Sequence, residues 1–308
     1  MHPSLNGLTV LERGWLSSNN IVIHAAPGEP GAVLVDASHV VHREQTVALV
    51  RHALRNGEPL VRIVNTHLHS DHCGGNAALQ REFSAALTIP PGLADAARAW
   101  DLERLGHDDF GLRERFTVDD TIAAGEAFTA GGRTWQAVAA PGHDPHSLMF
   151  FDADQGVLIS ADALWEQGFG VVFPELFGEG GFDEVGATLD AIEALPVQIV
   201  IPGHGAPFTD VAGALARARS RLAGFQTEPA RHARHAVKVL IKYHVMEQRR
   251  VPLDALCQWA EAAPMVGGNW ERFGRPQAAS PAGWVAGLVH ELVGAGALAL
   301  DSGVVIDR

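Results

Sequence analysis

Short apolar runs broken by Asn, Gly and Pro dominate the start of the chain. LTVLER (8–13), NNIVIHA (19–25) and GAVLVDA (31–37) are too short for helices, rich in β-branched residues and bounded by turn formers, so they predict strands. From Val41 to Leu54 the apolar positions recur at helical spacing, and Asn56-Gly57 predicts the stop. VRIVNT (61–66) returns to the strand pattern and delivers the chain into THLHSDHCGGN (66–76). Further strands are predicted over 132–141 and 147–160, the latter with a turn at Asp-Gln-Gly. A helix is expected over 183–194, a strand over 198–203 and a helix from about Asp210 to Phe225.

The pattern changes from about Glu228. Helical periodicity predicts helices over 229–249, 252–262 and 281–294, and the apolar pair in ALALDSGVVID predicts a small hairpin. Three helices and a hairpin outline a winged-helix-like module, so the expected division is a large domain over 1–225 and a smaller one over 226–308.

Composition sharpens this picture. The 308 residues, 47% hydrophobic and 19% charged, supply a full core and exclude long disorder. No apolar run approaches the ~20 residues of a membrane helix, and the start lacks a signal-peptide pattern, so a cytoplasmic protein without a membrane partner is expected. Cys73 and Cys257 are the only cysteines, which excludes a disulfide framework and a thiolate metal cluster within one chain. Net charge is −13, and it is uneven: residues 1–227 carry 14 basic and 28 acidic side chains, residues 228–308 carry 9 and 8. A field of that sign repels polyanions unless cationic groups are concentrated locally. Histidine stands out at 16 residues, and its specialised uses are metal ligation and proton transfer.

The decisive segment is His67-Leu68-His69-Ser70-Asp71-His72, four metal-capable side chains in six residues just past a strand. In an extended chain residues i and i+2 point the same way. His67 and His69 can therefore converge on one ion while Asp71 and His72 turn toward a second. Gly74-Gly75 is expected to allow a tight backbone turn beside them.

This H-x-H-x-D-H run resembles the signature of the metallo-β-lactamase superfamily. The resemblance extends to His143 in APGHD, Asp162 in ISADALW and His204 in IPGHG, and covers about residues 5–225. It implies an α/β fold of the αββα sandwich type, with His67, His69 and His143 on one divalent cation, Asp71, His72 and His204 on the other, and Asp162 bridging. Asp71 and Asp162 are thereby the expected catalytic carboxylates. Such a pair of ions activates a shared water for hydrolysis. Imidazole and carboxylate ligands suit zinc and admit iron or manganese.

Departures from family patterns narrow the substrate. The best-known zinc β-lactamases resembling this set place Cys or Ser at Asp162, and the flavodiiron branch places Glu at a ligand histidine, unlike His69. Lactonases with a similar set carry Tyr where this chain has Trp165. Glyoxalase-II-type thioesterases share all seven positions, but their basic glutathione-binding residues have no counterpart motif here. An endoribonuclease-like branch with a C-terminal winged helix resembles this chain in layout and in His146, three residues after His143. An iron-dependent persulfide dioxygenase is a further relative by motif.

Two features bear on the choice. Arg231, Arg234, Lys238, Lys242 and Arg249 fall within about 80° on the helix predicted from 229 at ~100° per residue, a stripe able to hold phosphates or to be a solvated face. Trp165, Phe169, Phe173 and Phe177 lie on a Gly-punctuated insertion after Asp162 and can form an apolar wall for an acyl group. With His146, Arg234 and Lys238 these are the candidate substrate-binding residues. The sequence therefore favours a dinuclear-metal hydrolase of a small thioester or ester, with an RNA phosphodiesterase as the alternative and a homodimer as a possible assembly. Asp36 is expected to support the ligand loop from behind, and the remaining histidines, His107 among them, to be structural or exposed.

Overall fold

The structure is a computed structural model that describes residues 2–55, 57–106 and 114–308; His107 and Asn56 lie outside the described residues. The chain forms two compact units. One comprises Met1–Gly170 with Asp183–Ser220, the other Val171–Phe182 with Arg221–Arg308. The second unit thus begins in the chain before residue 226 and also takes in 171–182, which the sequence assigned to the large domain.

The first sheet holds β1 (Leu8–Leu11), β2 (Asn20–Ile23), β3 (Ala32–Val35), β4 (Leu60–Val64), β5 (Ala86–Ile89) and β6 (Asp120–Thr121) in chain order. β1, β2 and β3 pair antiparallel, and β3 to β6 run parallel, with α1 (Arg43–Ala53), α2 (Ser70–Cys73), α3 (Asn76–Phe83) and α4 (Ala94–Ala99) in the crossovers. The second sheet contains β7 (Ala127–Ala130), β8 (Arg133–Ala139), β9 (Leu148–Asp152), β10 (Val157–Ala161) and β11 (Ile199–Pro202), ordered β11-β10-β9-β8-β7. Only the β10–β11 pair in it is parallel. Between β10 and β11 come α5 (Phe173–Phe177) and α6 (Phe182–Ala194), and α7 (Val211–Thr227) follows.

Strand periodicity explains the layering. Val22, Leu34 and Ile63 join the helix-facing cluster with Val47, Val50 and Leu79, while their neighbours Ile21, Ile23, Val33, Val35 and Val64 face Trp135, Phe150, Ile159 and Ile201 of the second sheet. Both faces of β2 and β3 are therefore buried, which is why these strands read as near-unbroken apolar runs.

The second unit contains α8 (Pro229–Gln248), β12 (Arg250–Pro252), α9 (Leu253–Ala262), α10 (Pro264–Asn269), a π turn over Trp270–Gly274, α11 (Pro281–Gly294), β13 (Leu298–Asp301) and β14 (Val304–Asp307). The strands form a sheet ordered β12-β14-β13. Val237, Ile241, Val245, Leu256, Trp284, Leu288 and Val305 meet in its core. Strand β12 and the helix α10 were not legible in the sequence. No helix among the described residues is long and apolar enough to cross a membrane.

Candidate metal centre

Four strand ends deliver the candidate ligands. His67 to His72 follow β4, His143 follows β8, Asp162 follows β10 and His204 follows β11. Since β8 and β10 each pair antiparallel with β9, and β10 pairs parallel with β11, these three strands point the same way and open their C-terminal ends together. A backbone bond from Leu148 N to Thr66 O (2.9 Å) ties this end of the second sheet to the loop after β4.

The structure brings all seven side chains together in two groups, His67, His69 and His143, and Asp71, His72, Asp162 and His204, each with its donor atoms within 4.8 Å of one another. In the first, His67 Nε2 lies 3.0 Å from His69 Nδ1, which lies 2.8 Å from His143 Nε2. The backbone at His69 is extended (φ −67°, ψ 151°), so His67 and His69 share a direction; α2 then winds Asp71 and His72 into the second group. His204 Nε2 lies 3.1 Å from Asp71 Oδ2. Asp162 faces both groups: its Oδ2 is 3.2 Å from His143 Nε2, and its Oδ1 is 3.5 Å from His72 Nε2 and 3.8 Å from His204 Nε2.

Gly74 and Gly75 serve a different end from the tight turn expected of them. Both have ordinary helical backbone angles (φ −63° and −88°). A side chain on Gly75 would sit 2.1 Å from the Ala37 carbonyl oxygen, and one on Gly74 would sit 2.5 Å from Val40 N. Close approach of the loop after β3 is what demands glycine.

That loop supplies Asp36, buried and in the left-handed region at φ 60°. Its Oδ1 accepts from Thr66 N (2.9 Å) and its Oδ2 from Thr66 Oγ1 (2.8 Å) and His72 Nδ1 (2.7 Å). With a proton on Nδ1, His72 presents an unprotonated Nε2, and that buried atom has no hydrogen-bond partner among the described residues. An imidazole lone pair facing two carboxylates in the interior is costly without a cation, so the donor set fits a metal ion.

Electrostatics agrees. Burial opposes ionisation of Asp162, yet His72, His204 and His143 hold its carboxyl well below the usual carboxylate range. Burial likewise opposes ionisation of Asp71, and His72 and His204 overcome it. Burial, then the neighbouring His72, His69 and His143 rings, pushes His67 well down, leaving a neutral ring that can donate a lone pair. Burial alone would lower His72, but Asp162, Asp36 and Asp71 raise it well above the ordinary value.

The candidate substrate-binding residues divide between the two units. Trp165 borders the second group, its indole N–H donating to Asp162 Oδ1 (3.2 Å). Phe169 is buried at 2% exposure and offers no open face. Phe173 and Phe177 fall in the second unit, on α5, with Phe177 exposed. His146 is exposed and its ring lies over Gly92, where an added Cβ would be 2.2 Å from Nδ1. Arg234 and Lys238 of α8 pair with Glu291, and Lys242 pairs with Asp307.

Sequence reasoning overlooked the loop between β1 and β2. Ser18 N donates to Asp71 O (3.0 Å), Asn19 N to Gly203 O (2.7 Å), and Asn19 Nδ2 to Pro202 O (3.0 Å) and Gly205 O (2.7 Å). It braces both ligand loops and carries Trp15, which stacks on His204 at 5.5 Å. Nothing in LERGWLSSNN announces this, because its partners are more than 50 residues away.

The metallo-beta-lactamase superfamily profile matches residues 13–204. Curated relatives include the hydroxyacylglutathione hydrolases of Methylococcus capsulatus, 27% identical over 62% of this chain and 63% of that one, and of a Synechococcus strain, 29% identical over 61% and 64%. The chain therefore spans less than two thirds of the length of these relatives. Among solved structures, a beta-lactamase domain protein from Burkholderia ambifaria superposes with TM-score 0.56 at 20% identity, covering 98% of this chain and 91% of that one. A metallo-beta-lactamase family protein from Thermus thermophilus covers 99% of both chains with TM-score 0.52 at 19% identity. At such identities the structural likeness is one of fold.

Proposed function

The chain belongs to the metallo-beta-lactamase superfamily, and we propose that within it the protein is a metal-dependent hydrolase of a small thioester or ester. The observation that carries this reading is the convergence of five imidazoles and two carboxylates into two adjoining groups with Asp162 facing both. His67, His69 and His143 would hold one divalent cation, and Asp71, His72 and His204 the other, with Asp162 shared. When bound, such cations lower the pKa of water and polarise a scissile carbonyl. The donor set, free of thiolate, suits zinc first and iron or manganese after it.

The chain's own groups orient and exchange protons. Asp36 fixes the tautomer of His72, and Thr66 Oγ1, which donates to Asp36 and lies 3.1 Å from His67 Nδ1, does the same for His67. Asp71, the more accessible of the two carboxylates, is our candidate for the group that would take a proton from the attacking water. A thioester substrate is supported by the hydroxyacylglutathione hydrolase relatives. Trp165 is the candidate for contact with the acyl part. Support for an RNA substrate is weaker, because Arg234, Lys238 and Lys242 are matched by Glu291 and Asp307. The order of helices and strands from α8 to β14 supports a winged-helix-like second unit, and we place the protein in the cytoplasm.

Elemental analysis combined with turnover of an acyl thioester, a lactone and single-stranded RNA tests the reading. Two equivalents of metal and thioester or ester turnover are expected. RNA cleavage without acyl turnover would overturn it.

A further inference from the structure

His72 and His204 stand in the same group but are held by different means. His72 is fixed by a carboxylate through Nδ1. His204 Nδ1 is buried and has no hydrogen-bond partner among the described residues, so no acceptor sets the plane of its ring. Two tryptophans do so instead. Trp15 lies almost parallel to the His204 ring, 5.5 Å between centroids with 10° between planes, and Trp165 meets it edge-on at 5.3 Å and 75°. The two indoles also touch each other, at 5.4 Å and 67°.

Trp165 has a second connection. Its indole N–H donates to Oδ1 of Asp162, and that oxygen is the one facing His72 and His204; Oδ2 faces His143. One side chain therefore touches two of the four members of the second group and, among the contacts described, none of the first. A buried indole N–H normally finds an acceptor, and here the acceptor is a carboxylate that must keep one rotamer to serve two groups. Trp15 is 60% exposed, so the core gains little from it, and its position is explained by the stack on His204.

We infer that Trp165 and Trp15 are positioning residues for the second cation site, Trp165 by fixing Asp162 Oδ1 and both by fixing the His204 ring. This rests on the dinuclear reading given above. Removing the indole N–H while keeping an aromatic ring, in Trp165→Phe, frees the second-site oxygen of Asp162 to rotate. Outer partners of metal ligands typically contribute 10–100-fold in metal affinity. The larger loss falls on the second site, where both Asp162 Oδ1 and the His204 ring lose their support; the first site feels only the shared carboxylate.

The test titrates the chelator-stripped full chain with cobalt(II) alone, following the visible absorption of each bound equivalent by spectroscopy and the affinities by calorimetry. Wild type is expected to take two equivalents. Trp165→Phe is expected to weaken the second equivalent about tenfold and the first by clearly less, with an altered second-equivalent spectrum. Trp15→Ala, at an exposed position, is expected to weaken the second equivalent alone. A wild-type protein that takes fewer than two equivalents would overturn the dinuclear reading and this inference with it. Two equivalents in wild type with both sites weakened equally in Trp165→Phe, or neither weakened in both variants, would overturn the inference alone.

Discussion

Asp36→Asn is the sharpest probe of how the ligands are oriented. The backbone stays at ease, because asparagine tolerates the φ of 60° found there. The side chain does not. Asp36 Oδ1 accepts from Thr66 N, and Oδ2 accepts from Thr66 Oγ1 and His72 Nδ1. If the amide keeps its oxygen toward Thr66 N, its NH2 faces His72 Nδ1 and forces the ring proton onto Nε2, the atom that must donate to a cation. If it flips, the NH2 opposes the Thr66 N–H and leaves a buried donor unmet, at about 1–3 kcal/mol. In the first case second-site metal affinity should fall 10–100-fold, or about 1.4–2.8 kcal/mol at 1.4 kcal/mol per decade; in the second the His72 tautomer is kept and the cost falls on the stability of the metal-free protein. The first site, reached only through Thr66 and His67, should lose less. Zinc competition against a chromophoric chelator, with denaturant melts of the metal-free proteins alongside, measures both terms. A second-site Kd within twofold of wild type together with an unchanged denaturant midpoint would refute the reasoning.

Other outcomes follow from the same geometry. His69→Ala should remove one first-site donor, lower bound metal by elemental analysis and abolish turnover; full activity with two equivalents retained would contradict the assigned role. Gly75→Ala should destabilise the first unit by about 3 kcal/mol in urea unfolding, because its Cβ would meet Ala37 O at 2.1 Å and backbone cannot step aside cheaply; a midpoint like wild type would contradict this. In the second unit, burial and then the charges of His235 and Arg221 hold His232 at about 3, and burial, Arg221 and Lys238 hold His235 at about 4. Both lie below the ordinary 6.5, so the unfolded chain takes up protons first as pH falls. Stability should be level above about pH 6.5 and decline toward pH 4. His232→Gln, which keeps an acceptor for Val172 N–H, should flatten that decline, and a urea midpoint constant from pH 7 to 5 in wild type would refute the assignment.

Much of this molecule was legible because local pattern and physical need coincide. Strands β2 and β3 are buried on both faces, so their apolar runs announce them. The helices α8, α9 and α11 each bury one face and show it in their periodicity. The short β5, β6 and β12 were missed, since two to four residues that depend on neighbouring strands carry little signal of their own. Of the ligands, His67, His69, Asp71 and His72 stood out by density alone. His143, Asp162 and His204 were single residues in ordinary turns, found only through resemblance.

By itself, then, the sequence determined the dense donor run His67–His72 and the strands whose ends hold the ligands, because each is a property of a few consecutive residues, while the order of the remaining donors came from the resemblance. Tertiary structure alone decided which oxygen of Asp162 faces which group, that Asp36 grips His72, that glycine at 75 answers the Ala37 carbonyl, and that Trp15 and Asn19 reach His204 and its loop. Those partners are separated by roughly 20 to 190 positions. Orientation at such separation is set by how the sheets pack, and no local pattern of residues encodes it.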